Sequence, residues 1–362
     1  MDAPEIQYTS ANIIKTQQIA SRGAWDHRNF KFTNPVKVNR WVILNFSRAR
    51  DDNCAAFGEK LISVGRIHGL QIQPYLCLKT IGDRQRDEQI RRTFEEIYTK
   101  YKPLDLVVVV FGGTTTAYKV VKTCGDITYG VATQGVEDRN VNRINDQTVS
   151  NILLKVNTKL GGRNFLLSTN GFLFSKHLQD LYRGPLMIFG ADVTHPTPDK
   201  KIEESIAAVV GSLDKDCCFY AARLHAQKSS RGQAYEMIHD LDKMVTNLLL
   251  EHFNINKTFP KKIVFFRDGV SEGQFSLVLR FEINKIRSAC QTVSPGYKPA
   301  ITFVIVQKRH HTRLFPANTN DSHGKAMNVP PGTIVDSGIV TQSMFDYFLC
   351  SHSGIQVSSV FG

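Results

Sequence analysis

LMIFGADVTHP, Leu186 to Pro196, decides how the second half of the chain is read. The run is apolar, leaves no room for a helix, and stops on Asp192. A buried strand that delivers a carboxylate at its C-terminal tip is one way to build a metal site. Lys262 to Asp268, KIVFFRD, has the same design. The two runs predict that Asp192 and Asp268 meet at one edge of one sheet. From the pattern alone, a shared cation and a pair of aspartates capping their own loops are equally good explanations, since aspartate is a common turn residue.

Around these runs the pattern reads strand, strand, strand, helix, strand, helix, strand. The strands are Leu186 to Asp192, Ser205 to Leu213, Cys218 to His225, the run ending at Asp268, and Ile301 to Val306. The first helix spans Gln233 to Phe253. The second starts at Ser271, where Ser271 and Gln274 form an S-x-x-Q capping box and Phe275, Leu279, Ile283 and Ile286 an apolar face. This order matches the ribonuclease H arrangement, whose first and fourth strands are neighbours. The earlier half alternates strand and helix, which implies a parallel sheet. Its strands are Trp41 to Phe46, Ile72 to Leu78, LDLVVVVF at Leu104 to Phe111, and Ile127 to Ala132. Its helices are Ala55 to His68, Arg84 to Tyr101, Ala117 to Thr123 and Asn145 to Leu160. The unit is Rossmann-like but has neither G-x-G-x-x-G nor the G-x-x-x-x-G-K-[ST] loop, so it is no ordinary dinucleotide or NTP site. The expected organisation is a linker over residues 1–38, a first domain over 39–183 and a second over 184–362.

Composition narrows the class of partner. At 42% hydrophobic the 362-residue chain is globular, and no apolar run reaches membrane-spanning length. Seven cysteines without C-x-x-C spacing argue against a disulfide framework or a zinc site and fit a reducing compartment, hence a cytoplasmic protein. A net charge of +12 points to a polyanionic partner, with nucleic acid the leading candidate. Tyr118 and Lys122 stand i,i+4 on one short helix, and Lys155 and Lys159 repeat the spacing on another. Such faces suit a terminal phosphate, which carries nearly two charges and needs several donors; charge pattern alone favours two solvated helix faces. The basic run Lys308 to Arg313 follows a buried strand. Arg309 and Arg313 are candidates for RNA backbone contacts.

The residues flanking the aspartates carry more. GADVTHP (Gly190–Pro196), RDGVSEGQF (Arg267–Phe275), QKRHHTRLF (Gln307–Phe315) and CSHSGIQ (Cys350–Gln356) resemble the PIWI domain of eukaryotic Argonaute proteins. YGVATQ (Tyr129–Gln134) and NILLKVNTKLGG (Asn151–Gly162) resemble the Argonaute MID domain. The detail is similar to the branch that uses small interfering or micro RNAs. The resemblance implies an α/β protein with a Rossmann-like MID domain followed by an incomplete ribonuclease H-like PIWI domain. It implies a small guide RNA with a 5′ phosphate, a complementary target RNA and silencing-complex proteins as partners, and no membrane. Tyr118, Lys122, Gln134, Lys155 and Lys159 fall on the family's 5′-phosphate positions, and the loop Gly112 to Ala117 on the one facing the 5′ base. Active members cut the target with Asp, Glu, Asp and His or Asp, using Mg2+ or Mn2+. Asp192, Glu236 and Asp268 match the first three, with Asp192 and Asp268 as metal ligands. The fourth has no match, because the chain departs from the family at Val357 and ends in VSSVFG. His352 belongs to the CSH motif, and His195 reads as a packing residue. The expectation is therefore a guide-binding protein in which cleavage is weakened or lost, with a non-cleaving silencing module or an inactive fragment as the alternative.

Overall fold

The computed structural model describes residues 4–9, 13–14, 25–83, 86–113, 117–168, 176–196, 204–228, 236–308, 310–324, 327–341 and 344–352. The chain forms two compact units. One comprises residues up to Ser168 together with those from Pro316, the other Thr169–Phe315.

In the first unit the strands are β1 (Ile6–Gln7), β2 (Ile13–Ile14), β3 (Lys37–Val38), β4 (Trp41–Phe46), β5 (Gln71–Ile72), β6 (Leu78–Thr80), β7 (Leu106–Phe111), β8 (Ala132–Glu137) and β9 (Leu166–Leu167). The helices are α1 (Asp51–Ile67), α2 (Asp87–Tyr101), α3 (Ala117–Lys122), α4 (Asp138–Asn142) and α5 (Asp146–Lys159). The main sheet is parallel, in the order β6-β4-β7-β8. LVVVVF is buried at all six positions because both faces of β7 are covered. Val108 and Val110 share a core with Phe57 and Leu61 of α1 and Leu153 and Val156 of α5. Val107 and Val109 share the other with Ile90 and Phe94 of α2 and Val120 and Val121 of α3.

Three expectations change here. The strand placed at Ile127 to Ala132 is instead a π-helical turn, Thr123–Tyr129, that prolongs α3. Its one large aliphatic side chain, Ile127, is exposed and gives a strand nothing to bury. The turn closes on Gly130 in the left-handed region (φ 61°), and the strand follows as β8. The strand placed at Ile72 to Leu78 divides around Pro74 into β5, paired with β3, and β6, paired with β4. The segment read as a linker is part of the unit: β1 pairs with β9, and Ile6, Tyr8, Phe32 and Val38 are core residues.

The second unit comprises α6 (Lys176–Tyr182), β10 (Leu186–Thr194), β11 (Glu204–Ser212), β12 (Tyr220–Lys228), α7 (Leu241–Asn256), β13 (Lys262–Asp268), α8 (Phe275–Val293) and β14 (Ala300–Val306). Its sheet runs β12-β11-β10-β13-β14, the ribonuclease H order, with β10, β13 and β14 parallel and β11 and β12 antiparallel to their neighbours. Met187, Phe189, Ala191, Val209, Ile263 and Phe265 pack beneath Val245 and Leu248 of α7 and Ile286 and Ala289 of α8. The division at Ser168/Thr169 differs from the expected 183/184. One cause is Lys262, whose ammonium donates to the carbonyls of Asp180, Leu181 and Arg183 and so ties the end of α6 to β13. The helix placed at Gln233 to Phe253 begins only at Leu241, while residues 233–235 lie outside the described residues. The capping box forms between side chains alone: Ser271 Oγ donates to Gln274 Oε1 at 2.8 Å, and a 3-10 turn at Glu272–Gln274 precedes α8. From Pro316 onward the regular structure is a 3-10 turn, Thr319–Asp321, and a short antiparallel pair, β15 (Ile334–Val335) with β16 (Phe348–Leu349).

Three buried histidines make the fold sensitive to acid. His68 Nδ1 lies 2.8 Å from Phe30 O, its Nε2 2.9 Å from Ser150 Oγ, and its ring stacks on Phe32. Burial holds His27, His68 and His252 below the ordinary imidazole range. The unfolded chain therefore takes up protons near about pH 6.5 that the folded chain refuses. Stability present above that pH is lost as pH falls toward the lower folded values. The urea midpoint is expected to drop between about pH 7.5 and about pH 5. His68→Gln should lower the midpoint at the higher pH yet flatten its fall; an unchanged slope in that variant would contradict the assignment.

Candidate nucleic-acid and metal site

Two groups of candidate residues lie in the two units. In the first, β8 supplies the floor and α3, its π-helical extension and α5 supply the charges. Lys159 at the end of α5 donates to Thr133 O (2.8 Å) and to Gln134 Oε1 (2.9 Å). Lys122 at the end of α3 donates to Thr133 Oγ1 (3.2 Å). Thr133 and Gln134 are buried, so two ammonium groups from different helices converge on one short stretch of sheet. The close approach depends on Gly125. A Cβ there would lie 2.4 Å from Thr133 Cγ2 and 2.9 Å from Val131 O. Lys155 is exposed one turn before Lys159. Desolvation, then the charges of Lys122 and Lys155, hold the Lys159 ammonium below its ordinary pKa, while Asp126 opposes the shift. Tyr118 is more than half exposed and meets Phe111 edge to face at 5.8 Å. Of the loop Gly112 to Ala117, residues 114–116 lie outside the described residues.

In the second unit the register sets the carboxylates. β10 and β13 pair in parallel up to Ala191↔Arg267, so Asp192 and Asp268 follow side by side, strands about 4.8 Å apart. Asp192 is exposed and pairs across β11 with Ala208; Asp268 pairs across β14 with Val306. Asp192 Oδ1 accepts from Val193 N (2.9 Å) and Asp268 Oδ1 from Gly269 N (2.8 Å). The chain leaves β13 through Gly269 at φ 87°, where a Cβ would sit 3.1 Å from Asp192 Oδ1. Both the strained backbone and the neighbouring carboxylate favour glycine there.

Glu236 stands before α7, not on it. Its Oε1 lies 2.8 Å from His195 Nε2, and His195 Nδ1 lies 2.8 Å from Ser205 Oγ. His195, read from the sequence as a packing residue, thus anchors one of the three candidate carboxylates. Glu236 Oε2 is buried without a hydrogen bond, 3.7 Å from Arg267 Nη2. Arg267 is fully buried and donates to the carbonyls of Glu236 and Asp268 and, at 3.2 Å, to Glu282 Oε1. Glu282, equally buried, accepts from Ile238 N; burial pushes its carboxyl pKa up, with Arg267 opposing. Gln227 completes the clamp, donating to Met237 O (2.9 Å) and accepting from His239 N (3.3 Å). Among the described residues, no three His, Cys, Asp or Glu side chains are gathered as an ion would need. Arg309 lies outside the described residues. Arg313 is exposed and turns its guanidinium back onto His310 O (2.7 Å) and Thr312 O (2.9 Å).

A family model of the Piwi domain matches residues 105–360, and one of the Mid domain of argonaute matches residues 19–100. This chain belongs to the Argonaute family. Its fold is that of the C-terminal lobe of a budding yeast Argonaute (TM-score 0.81, 24% identity, 98% of this chain and 76% of that one). Kluyveromyces polysporus Argonaute with a guide RNA matches with the same TM-score and identity, and this chain spans 45% of its length. The N. crassa QDE-2 MID-PIWI domains are 26% identical over 76% of this chain and 75% of theirs, with a TM-score of 0.61. The first unit spans the argonaute Mid match and the start of the Piwi match, so the Rossmann-like sheet is one body across both. Among the described residues no helix is long and apolar enough to cross a membrane.

The buried Arg267–Glu282 pair supports the segment that carries Glu236. Arg267→Met leaves the buried Glu282 carboxyl without its cation, at an expected cost of about 3–5 kcal/mol in urea unfolding. Arg267→Met combined with Glu282→Met should recover most of that loss. A double variant as unstable as the single one would contradict the pairing.

Proposed function

We propose that this Argonaute chain binds the 5′-phosphorylated end of a small guide RNA in its first unit. The carrying observation is the convergence of Lys122 and Lys159 on Thr133, beside Gln134, with Lys155 close enough to depress the Lys159 pKa. Ammonium groups crowded in this way repel one another, and a ligand with nearly two negative charges relieves them all at once. The exposed ring of Tyr118, on the same face as Lys122, offers a stacking surface for the first base. The relative solved with a guide RNA supports the same reading. Arg309 and Arg313 would add contacts to the RNA backbone, and a complementary RNA would pair with the guide.

In the second unit Asp192 and Asp268 would hold Mg2+ or Mn2+, as the adjacent strand ends and the hard oxygen donors suit such an ion. When bound, the ion would supply an activated water and relief of charge on a leaving oxygen during phosphodiester cleavage. Glu236, with one buried oxygen left without a hydrogen bond, is the third candidate carboxylate. A second reading, guide binding without cleavage, is favoured by the lack of a three-ligand group among the described residues.

The binding claim separates two ligands that differ only at one end. Lys122→Ala with Lys159→Ala is expected to weaken 5′-phosphorylated RNA by at least about tenfold, and to leave 5′-hydroxyl RNA of the same sequence within about twofold. Fluorescence anisotropy titration measures both. Equal losses for the two RNAs would refute the pocket.

A further inference from the structure

Among the charges that act on Lys159, one has the wrong sign for binding phosphate. Asp126 lies on the π-helical turn, and both of its oxygens are 2.9 Å from Lys122 Nζ. Asp126 is thus placed where an incoming phosphate oxygen would sit. Its hold is weak by design of the helix. The lysine precedes the aspartate at i,i+4, the less favourable order, and both side chains are partly exposed, at 32% and 52%. Lys122 also keeps its second partner, Thr133 Oγ1, so it stays oriented when Asp126 lets go.

We propose that Asp126 is a competing anion built into the pocket, which sets how strongly the pocket prefers a 5′-phosphate over a 5′-hydroxyl. This rests on the phosphate-pocket reading above. In the free protein its carboxylate neutralises Lys122 and tempers the repulsion among the three lysines. A terminal phosphate must displace that carboxylate or sit beside it, and either lowers the net gain. An RNA with a 5′-hydroxyl brings no anion to Lys122, so Asp126 leaves its binding unchanged. The consequence is counter-intuitive for an ion pair: breaking it should improve binding of the ligand that the pocket serves.

The test compares Asp126→Asn, Asp126→Glu and the parent by anisotropy, with 5′-phosphorylated and 5′-hydroxyl RNA of one sequence. Asp126→Asn should bind the phosphorylated RNA on the order of threefold to tenfold more tightly and the hydroxyl RNA unchanged. Its affinity should also fall more steeply with salt, by about 0.7 in the logarithmic slope, because a freed Lys122 neutralises one more RNA charge and releases the cation condensed there. Inorganic phosphate should displace the labelled RNA from Asp126→Asn at lower concentration than from the parent. Asp126→Glu, which keeps the charge, should retain the parental preference. The inference is overturned if Asp126→Asn, with a native unfolding curve, binds phosphorylated RNA no better than the parent, or tightens both RNAs alike. It is also overturned if Asp126→Glu behaves as Asp126→Asn. If Lys122→Ala with Lys159→Ala weakens both RNAs equally, the pocket itself is misassigned, a failure distinct from that of Asp126.

Discussion

The parallel pairing of β10 with β13 fixes what the second unit can do. Side chains alternate between the two faces of a strand, so a slip of one residue would exchange every one of them. In the observed register Ala191 and Arg267 are buried, and Asp192 and Asp268 follow on the other face. Apolar burial of Met187, Phe189, Ile263 and Phe265 holds that register. The carboxylates therefore owe their adjacency to the packing beneath α7 and α8, and to no attraction of their own. Two like charges brought this close repel, and the hydrophobic core supplies the opposing free energy.

The same division of labour appears around Arg267. Its guanidinium, wholly out of solvent, is compensated by Glu282 and by two carbonyls, one belonging to Glu236. Gln227 holds the backbone on either side of Ile238, and Glu282 accepts from Ile238 N. These bonds hold the segment before α7 in one place although it has no regular structure, while Glu236 Oε2 stays buried without a hydrogen bond. In the first unit, by contrast, the polar groups are left crowded and alike in charge. Lys122 and Lys159 both reach Thr133 of β8, Lys159 reaches Gln134 as well, and Asp126 opposes their charge. The buried cation of the second unit is compensated within the protein, whereas the lysines of the first unit leave charge that the proposed guide phosphate would neutralise.

Much of this was legible in the sequence. The runs ending on Asp192 and Asp268, and the unbroken LVVVVF, encode buried strands through composition and length, and the order of elements gives the ribonuclease H sheet. What stayed hidden depends on contacts distant along the chain. His195 meets Glu236 41 residues away, and Arg267 meets it 31 away, which no local periodicity reveals. The Thr123–Tyr129 turn misled because its β-branched residues suit a strand, while helix continuation from α3 decided the outcome. Glu236 is legible only through resemblance to the Argonaute motif, whereas the start of the helix after it, at Leu241, follows from the fold. Asp126 has a signal in the sequence, its i,i+4 spacing from Lys122.

Titration of the purified full chain with Mn2+, followed by electron paramagnetic resonance, tests the shared-cation account most directly. A saturable site in the parent should be lost in Asp192→Asn and in Asp268→Asn to the same extent, with the double variant no worse than either, if a single ion is shared by the two carboxylates. Mn2+ uptake indifferent to both substitutions, in variants that unfold like the parent, would contradict it.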